Sequence, residues 1–346
     1  MLKAEWRPYE LRFIETGITS RAKMQTKKTY PVKVWDDENP AVAGYGECAL
    51  FEGLSEEDTP EYENLLDAAC RHPESLPEIS SIRFGFETAL ADLRNGGQQL
   101  LADNDFTRGS LNIAINGLIW MGDKATMKRR IETKLAQGFR CVKLKIGGID
   151  FNEEIELLRM IRREFTPDEI ELRLDANGAF TPENAADRLD RLSEFSIHSI
   201  EQPIKQHQRE AMAEICRHSP IPVALDEELI GFKSDGEKAA ILDGIKPHYI
   251  ILKPSLCGGF AEADRWIAMA EDRGIGWWAT SALESNIGLN AIAQWVAGYK
   301  TTMPQGLGTG ALYHNNFNSP LRQEKDYLRF EPTAKFEGLE RIFKLF

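Results

Sequence analysis

The sequence contains no run of about 18 or more apolar residues, so we expect no membrane-spanning segment. Its first residues, MLKAEWRPYELRF, lack the continuous apolar core and the small-residue cleavage site of a secretory signal peptide. The five cysteines are scattered and form no C-x-x-C pair, which is typical of reduced thiols in a cytoplasmic protein. The net charge of −12 argues against a nucleic-acid partner, because binding to phosphates needs a basic face.

The chain is long enough for one large domain, or for a large domain and a small one. It has 346 residues, of which 42% are hydrophobic, and this supports a sizeable core. An acidic protein can still bind an acidic small molecule where the site itself supplies cations, and the expected partner is a small-molecule carboxylate. No sequence feature specifies an oligomeric state.

A regular rhythm of strands begins near residue 110. Short apolar or β-branched runs, each ending in a polar residue or a glycine, alternate with stretches of helical pattern, and the runs end 25 to 30 residues apart. Alternation at this spacing predicts parallel strands joined by right-handed crossovers. The eight runs end at Asn116, Lys145, Asp175, Glu201, Asp226, Lys253, Ser281 and Gly306.

The segments between these runs carry the signals of helices. Thr181 and Pro182 predict a helix N-terminus, and Ile155, Leu158 and Ile161 recur at helical spacing. Eight β–α units predict an α/β fold of the (β/α)8, TIM-like barrel type, whose carboxyl strand ends form the catalytic face. A doubly wound open sheet is the rival, but eight evenly spaced units favour closure.

The first hundred residues predict a different unit. Tyr30, Val32 and Val34 alternate as in an antiparallel strand, residues 41–48 resemble its partner, and residues 79–93 carry an apolar helical stripe. We therefore expect a small α+β domain that covers the barrel. The predicted division is a capping domain over 1–105, a catalytic barrel over 106–319, and a tail over about 320–346 that packs back on the cap.

A polar stretch over residues 16–28 separates the first two strands of the cap. Its composition predicts a plain surface loop. The alternative is a lid over the barrel mouth, formed by Thr19, Ser20 and Arg21.

Three consecutive barrel strands end in carboxylates, namely those of Asp175, Glu201 and Asp226. Neighbouring parallel strands lie roughly 4.8 Å apart, so these side chains should converge. Three such anions would repel one another unless a divalent cation joined them. An all-oxygen donor set suits Mg²⁺, with Mn²⁺ as a substitute, better than it suits zinc. Single acidic residues often follow strands for structural reasons, but three in consecutive units favour a metal site.

Lysines end the second and sixth barrel strands. Lys143 and Lys145 share one face of their strand because side chains alternate, and Lys253 ends the strand across the barrel. Nearby Mg²⁺ and a second lysine lower the pKa of a lysine, so that its neutral amine can act as a base. This arrangement suits removal of the proton beside a carboxylate, because Mg²⁺ and an ammonium stabilise the resulting dianionic enediolate.

The order of motifs resembles that of the enolase superfamily, and the resemblance covers essentially the whole chain. Lysines on both the second and the sixth strand are typical of its muconate-lactonising subgroup. Mandelate-racemase-like members would instead carry a His-Asp pair late in the barrel. The motifs are VKLKIG, LRLDANGAF, IEQP, ALDEE, ILKPSLCGG and SALESNIGL.

Within the subgroup the sequence is similar to the o-succinylbenzoate synthase family, a menaquinone-pathway family. That family dehydrates 2-succinyl-6-hydroxy-2,4-cyclohexadiene-1-carboxylate, a cyclohexadiene acid, to 2-succinylbenzoate. The resemblance implies a Mg²⁺-dependent hydro-lyase in which Lys145 removes the α-proton and then protonates the departing hydroxide, a syn elimination. It implies that Lys253 stays charged and supports the enediolate. Lys143, Asn177 and Glu227 would support these groups.

A larger set of residues is expected to contact the substrate. Arg173 lies two residues before Asp175 and matches a position typical of the family, whereas residues of the seventh and eighth strands would hold the succinyl group. The run GLGTG is equally consistent with a structural turn, since it lacks the G-x-G-x-x-G form of a phosphate loop. The candidates are Arg173, Ser281, Glu284, Ser285, Gly306, Gly308 and Thr309.

Other functions compete with this interpretation. An N-succinylamino-acid racemase shares every catalytic group named above, so the chain could have that activity instead of the dehydration, or both. An acid-dipeptide epimerase would carry a D-x-D pair near the eighth strand, and none is present there. A barrel that binds a metal but catalyses no reaction would have no use for lysines at the ends of apolar strands, where burying a charge costs free energy. A barrel that binds a nicotinamide or a flavin would need a glycine-rich phosphate loop.

Overall fold

The computed structural model describes residues 1–19 and 23–344, and its first part is an antiparallel sheet packed on helices. The central strand of the sheet is the third, with which the other three pair in antiparallel fashion. Tyr30, Val32 and Val34 pack in one core with Phe86 and Ala89 of the second helix, which confirms the predicted strand and stripe. The elements are β1 (Leu2–Trp6), β2 (Tyr9–Ile18), β3 (Lys23–Asp36), β4 (Asn39–Cys48), α1 (Tyr62–Arg71) and α2 (Ser80–Arg94).

The prediction of a plain surface loop over residues 16–28 is wrong. In the hairpin of β2 and β3, Gly17 pairs with Met24 and Ile18 pairs with Lys23, so the polar stretch is strand almost to its tip. Two strands that leave the main sheet as a ribbon keep one face in solvent, and this is why their composition is that of a loop.

One face of this hairpin packs on the mouth of the barrel. Leu11 and Phe13 are buried there, while the residues between them and around them are exposed. Thr19, at the described end of the hairpin, lines the pocket at the barrel mouth. Ser20 and Arg21, the other two residues of the predicted lid, lie outside the described residues.

The second part of the chain alternates strands and helices as predicted. The helix signals are confirmed, because Thr181 caps the fifth helix in a capping box with Asn184, and Asp150 caps the fourth. The elements are β5 (Ile113–Ala114), β6 (Gly117–Ile119), α3 (Lys124–Ala136), β7 (Cys141–Lys145), α4 (Phe151–Glu164), β8 (Glu171–Asp175), α5 (Pro182–Ser193), β9 (Ser199–Glu201), α6 (Arg209–His218), β10 (Val223–Leu225), α7 (Asp235–Ile245), β11 (Tyr249–Leu252), α8 (Phe260–Glu271), β12 (Gly276–Ala279) and α9 (Asn286–Ala297).

The strands β6 to β12 form one parallel sheet in chain order, and a short eighth segment joins its two ends. Gln305 and Gly306 form isolated parallel bridges with Ile115 and Thr280, respectively. A side chain at Gly306 would begin 2.0 Å from Oγ1 of Thr280, so only glycine allows this approach. The closed (β/α)8-type fold is thus confirmed, although the eighth strand is only a pair of bridging residues.

The C-terminal part of the chain packs in two places. It contains β13 (Leu321–Glu324), β14 (Tyr327–Phe330) and α10 (Leu339–Lys344). The hairpin of β13 and β14 pairs with β5, at the start of the barrel. Leu339, in contrast, packs with Ile287 of α9 and with Tyr9 and Tyr45 of the N-terminal sheet. The division into domains near residue 105 stays a prediction.

None of the helices within the described ranges is long and apolar enough to cross a membrane.

Candidate active site

The three carboxylates predicted as metal ligands lie side by side at the carboxyl ends of neighbouring strands. Asp175 is the last residue of β8 and is in register with Glu201, the last residue of β9. Asp226 directly follows β10. All three side chains are buried, which in an apolar barrel requires opposite charges close by.

Lysine amines supply those opposite charges. The Nζ of Lys145 donates to Oδ2 of Asp175 at 2.7 Å and to Oδ1 of Asn177 at 2.8 Å. Lys143 donates to Oε2 of Glu201 at 2.8 Å, and its Nζ lies 3.4 Å from Oδ2 of Asp175. Lys253 pairs with Asp226. The structure therefore brings the three lysines and the three carboxylates into one network.

This network shifts the pKa values of its members in opposite directions. Burial alone would raise the pKa of Asp175, but Lys145 and Lys143 lower it far below its usual range. Burial, together with the negative charges of Asp175 and Asp226, raises the pKa of Glu201 to about 8. Burial would lower the pKa of Lys143, but the charges of Glu201 and Asp175 outweigh that effect and raise it.

The residues fit a divalent cation in donor chemistry and in charge. Oε1 of Glu201 is buried without a hydrogen-bond partner among the described residues, and such an oxygen is suited to a cation. A cation there would also favour the charged form of Glu201. In the described part of the chain, no three His, Cys, Asp or Glu side chains are arranged as a ready-made metal site.

Two further predicted residues line the same region. Asn177 has a positive φ of 45°, a conformation that asparagine tolerates better than most residues. In this backbone conformation, the backbone N of Asn177 donates to Oδ1 of Asp175 at 3.0 Å. The side-chain Nδ2 of Asn177 donates to Oε1 of Glu227 at 3.2 Å. Asn177 thus connects Lys145 and Asp175 with the loop after β10.

The three lysines and Asp175 line a pocket with an empty volume of about 1050 Å³, its open mouth included. Most of the remaining wall is apolar and comes from the hairpin, from the loop after β4 and from barrel strand ends. We did not predict these residues. Trp120 follows β6 directly, so its position after a strand could have identified it, whereas the loop after β4 has no such signal. The apolar lining residues are Met24, Phe51, Leu54, Leu118, Trp120, Leu256, Ala282 and Leu283.

The predicted substrate contacts divide into those that line the pocket and those that do not. Ser281, Gly306, Gly308 and Thr309 line it, together with Asn116, which we did not predict as a site residue. The hydroxyl of Thr309 and Oδ1 of Asn116 are buried and have no hydrogen-bond partner among the described residues.

The other three candidates lie behind or below the pocket wall. Glu284 and Ser285 are fully buried. Arg173 lies deeper in the barrel, where its guanidinium donates to Glu171 at 2.6 Å and stacks 4.4 Å from the ring centroid of Trp278. Its side chain faces inward, as predicted, but one layer below the strand ends, so we no longer place it against the substrate.

Comparison with known proteins identifies the class to which this fold and site belong. The model of the family described as "Enolase C-terminal domain-like" matches residues 126–334. The chain belongs to this family, and the enolase superfamily predicted from its motifs is confirmed. Enzymes of the superfamily use a divalent metal ion, generally Mg²⁺.

Particular relatives narrow the resemblance. The chain is 46% identical to o-succinylbenzoate synthase of Desulfotalea psychrophila, over 92% of this chain and 96% of the relative. It is 30% identical to o-succinylbenzoate synthase of Geobacillus kaustophilus, over 78% and 74% of the two chains. The crystal structure of MenC from Desulfotalea psychrophila superposes with a TM-score of 0.84 at 44% identity, and covers 95% of this chain and 99% of that one. The predicted similarity to the o-succinylbenzoate synthase family is confirmed.

Proposed function

We propose that this chain is a Mg²⁺-dependent carbon–oxygen lyase of menaquinone biosynthesis. It dehydrates 2-succinyl-6-hydroxy-2,4-cyclohexadiene-1-carboxylate to 2-succinylbenzoate by syn elimination through an enediolate. The observation that carries this proposal is the pairing of Lys145 and Lys253, both of which line a largely apolar pocket, with the strand-end carboxylates of Asp175 and Asp226. The similarity to o-succinylbenzoate synthases over nearly the whole chain supports it. The free cysteines of the described residues suit a cytoplasmic setting.

Lys145 is the proton carrier in this proposal. Its neutral amine takes the α-proton of the ring acid, and the electron pair of the broken C–H bond moves into the carboxylate to form the enediolate. As the enediolate collapses, the C–O bond to the hydroxyl breaks, and the same ammonium protonates the leaving oxygen to give water. Asp175 and Asn177 position the amine at the pocket wall for both transfers.

Lys253 has an electrostatic role. Burial alone would lower its pKa, but Asp226, Glu201 and Glu227 outweigh that effect and raise it, so the amine stays protonated. A fixed ammonium in a largely apolar pocket stabilises the developing dianion. Asp175, Glu201 and Asp226 would hold the divalent cation, and when bound it supplies Lewis-acid stabilisation of negative charge at the substrate carboxylate.

The second candidate function is N-succinylamino-acid racemisation, by this chain instead of the dehydration or beside it. Racemisation needs an acid–base group on each face of the α-carbon. Lys145 and Lys253 reach the same pocket from β7 and from the end of β11, with β8, β9 and β10 between these strands, and this supports the second candidate.

The test is a direct assay for 2-succinylbenzoate with the purified protein. We expect aromatic product from the cyclohexadiene acid with Mg²⁺, and no product after treatment with a chelator until Mg²⁺ is restored. Racemisation of an N-succinylamino acid is measured in parallel by optical rotation. A protein that racemises but forms no 2-succinylbenzoate would support the second candidate alone, and a protein with neither activity would refute both.

A further inference from the structure

A short segment after the eighth barrel strand lies against the hairpin of β2 and β3. This segment, residues 312–314, runs antiparallel to β2. The backbone N of Ile14 donates to the carbonyl oxygen of Leu312 at 2.9 Å, and the backbone N of His314 donates to that of Arg12 at 2.9 Å. The segment is therefore fixed to the hairpin by its main chain. The mechanism proposed above makes no use of it.

Tyr313, in the middle of this segment, contacts both the hairpin and the chain that follows β12. Its side chain is 5% exposed, and its ring centroid lies 4.6 Å from that of Phe13 on β2. Its hydroxyl donates to the backbone carbonyl oxygen of Leu283 at 2.7 Å, and this hydrogen bond is buried. One tyrosine thus joins β2 to the end of the seventh barrel strand.

Leu283 has a backbone conformation that leucine rarely adopts. Its φ is 63°, in the left-handed region, where the Cβ of an L-residue lies too close to the following carbonyl oxygen. Two hydrogen bonds hold it there, because its backbone N donates to Oγ of Ser281 at 3.0 Å and its carbonyl oxygen accepts from Tyr313. Such a conformation persists only where its surroundings impose it, and it is most frequent at functional sites.

Leu283 forms part of the pocket wall. It packs in one apolar cluster with Trp120, Met24 and Phe51, and all four residues line the pocket. Met24 comes from the hairpin, Phe51 from the loop after β4, and Trp120 directly follows β6. A change in the backbone of Leu283 would therefore alter the apolar surface that a bound molecule meets.

We propose that Tyr313 is a positioning residue whose hydroxyl holds Leu283 in its left-handed conformation, so that the seating of the hairpin fixes the apolar pocket wall and the affinity for a substrate ring. Tyr313 acts through Leu283 and does not itself line the pocket. This inference rests on the proposed function, since it takes the bound molecule to be an acid with an apolar ring. The ring of the cyclohexadiene acid, or of 2-succinylbenzoate, lies against this wall, and its carboxylates are left to the lysines and the cation.

The test compares two tyrosines that make the same kind of hydrogen bond. In Tyr313→Phe the carbonyl oxygen of Leu283 loses a buried donor. We expect 2-succinylbenzoate, titrated calorimetrically into the Mg²⁺-loaded protein, to bind this variant roughly tenfold more weakly than the wild type. Tyr9→Phe is the matched control, because the hydroxyl of Tyr9 donates to the carbonyl oxygen of Asn315 at 2.7 Å, and Asn315 does not line the pocket. It should keep the wild-type affinity.

A second comparison separates positioning from a general loss of packing. Glycine adopts the left-handed conformation without strain, so Leu283→Gly should make the hydroxyl of Tyr313 dispensable for binding. We expect Leu283→Gly and the double variant Leu283→Gly with Tyr313→Phe to bind 2-succinylbenzoate within about threefold of each other. A merely structural role of Tyr313 would instead lower the affinity by the same factor in both backgrounds.

Wild-type affinity in Tyr313→Phe, equal losses in the two tyrosine variants, a further tenfold loss in the double variant, or no binding by the wild type would each overturn the inference. If Leu283→Gly binds too weakly to titrate, Leu283→Asn takes its place, because asparagine tolerates the same conformation. A wild type that forms 2-succinylbenzoate while Tyr313→Phe keeps its affinity would refute this inference alone. A wild type that shows the expected differences but forms no 2-succinylbenzoate would refute the proposed function and leave this inference standing.

Discussion

Lys145 and Lys253 differ in what the proposed reaction requires of them. Dehydration requires proton transfer by Lys145 and only a positive charge at residue 253, whereas racemisation requires proton transfer at both positions. Arginine keeps the charge but does not act as a base. We therefore expect Lys253→Arg to retain dehydration within about tenfold and to lose racemisation by roughly 10²- to 10⁴-fold.

Both rates are measured on the same preparation of Lys253→Arg. Lys253→Ala serves as the control and should lose both activities, because it removes the charge as well as the amine. If Lys253→Arg lost dehydration as completely as Lys253→Ala, a purely electrostatic role for Lys253 would be contradicted.

The residues at strand ends could be predicted, and those on loops could not. Asp175, Glu201 and Lys145 follow directly from the period of the barrel, because any polar residue that ends an apolar strand reaches the mouth. Arg173 has the same inward direction but lies one layer too deep, and sequence alternation reports the direction of a side chain and not its depth. Phe51, on the loop after β4, has no periodic position that links it to the barrel.

At the scale of elements, a buried aspartate of α2 should make the free energy of unfolding depend on pH. The carboxylate of Asp92 accepts hydrogen bonds from the backbone N of Tyr45 and from N and Nε2 of Gln99, yet burial raises its pKa to about 6. Between about pH 4 and pH 6 the folded state keeps a proton that the unfolded state releases, so the free energy of unfolding falls as pH rises. This residue accounts for a fall of up to about 3 kcal/mol.

Asp92→Asn removes the titration, and we expect a flatter pH profile in that variant. The measurement is urea unfolding of the wild type and the variant at several pH values across this window. Asp168→Asn, at an exposed position, should follow the wild-type profile. A fall in the stability of Asp92→Asn that equals the wild-type fall would show that Asp92 does not titrate in this way.

Elements were predictable where their signals are local. The capping box at Thr181 and the alternation of Tyr30, Val32 and Val34 each depend on a few neighbouring residues. The hairpin of β2 and β3 depends instead on a barrel surface that is distant in sequence, so its polar composition was misleading. The eighth strand is likewise defined by its neighbours in space.

At the scale of the whole molecule, the proposed Mg²⁺ site exists only in the folded state, because folding brings together carboxylates from three strand ends. A ligand that binds only the folded state stabilises it by about 2.7 kcal/mol at one hundred times its Kd. We expect saturating Mg²⁺ to raise Tm by several degrees relative to NaCl of equal ionic strength. Glu201→Gln should lose this increase, and Glu214→Gln, which alters an exposed carboxylate of α6, should keep it. An increase that is unchanged in Glu201→Gln would place the cation elsewhere.

The central claim is that the barrel uses Lys145 to form an enediolate and complete its dehydration. The most direct test is the initial rate of 2-succinylbenzoate formation by Lys145→Ala in the presence of Mg²⁺. A suitable comparison is Lys134→Ala, which removes a half-buried lysine of α3 outside the pocket. We predict a loss of about 10²- to 10⁴-fold in Lys145→Ala and a wild-type rate in Lys134→Ala. A folded Lys145→Ala variant with the wild-type rate would contradict the account.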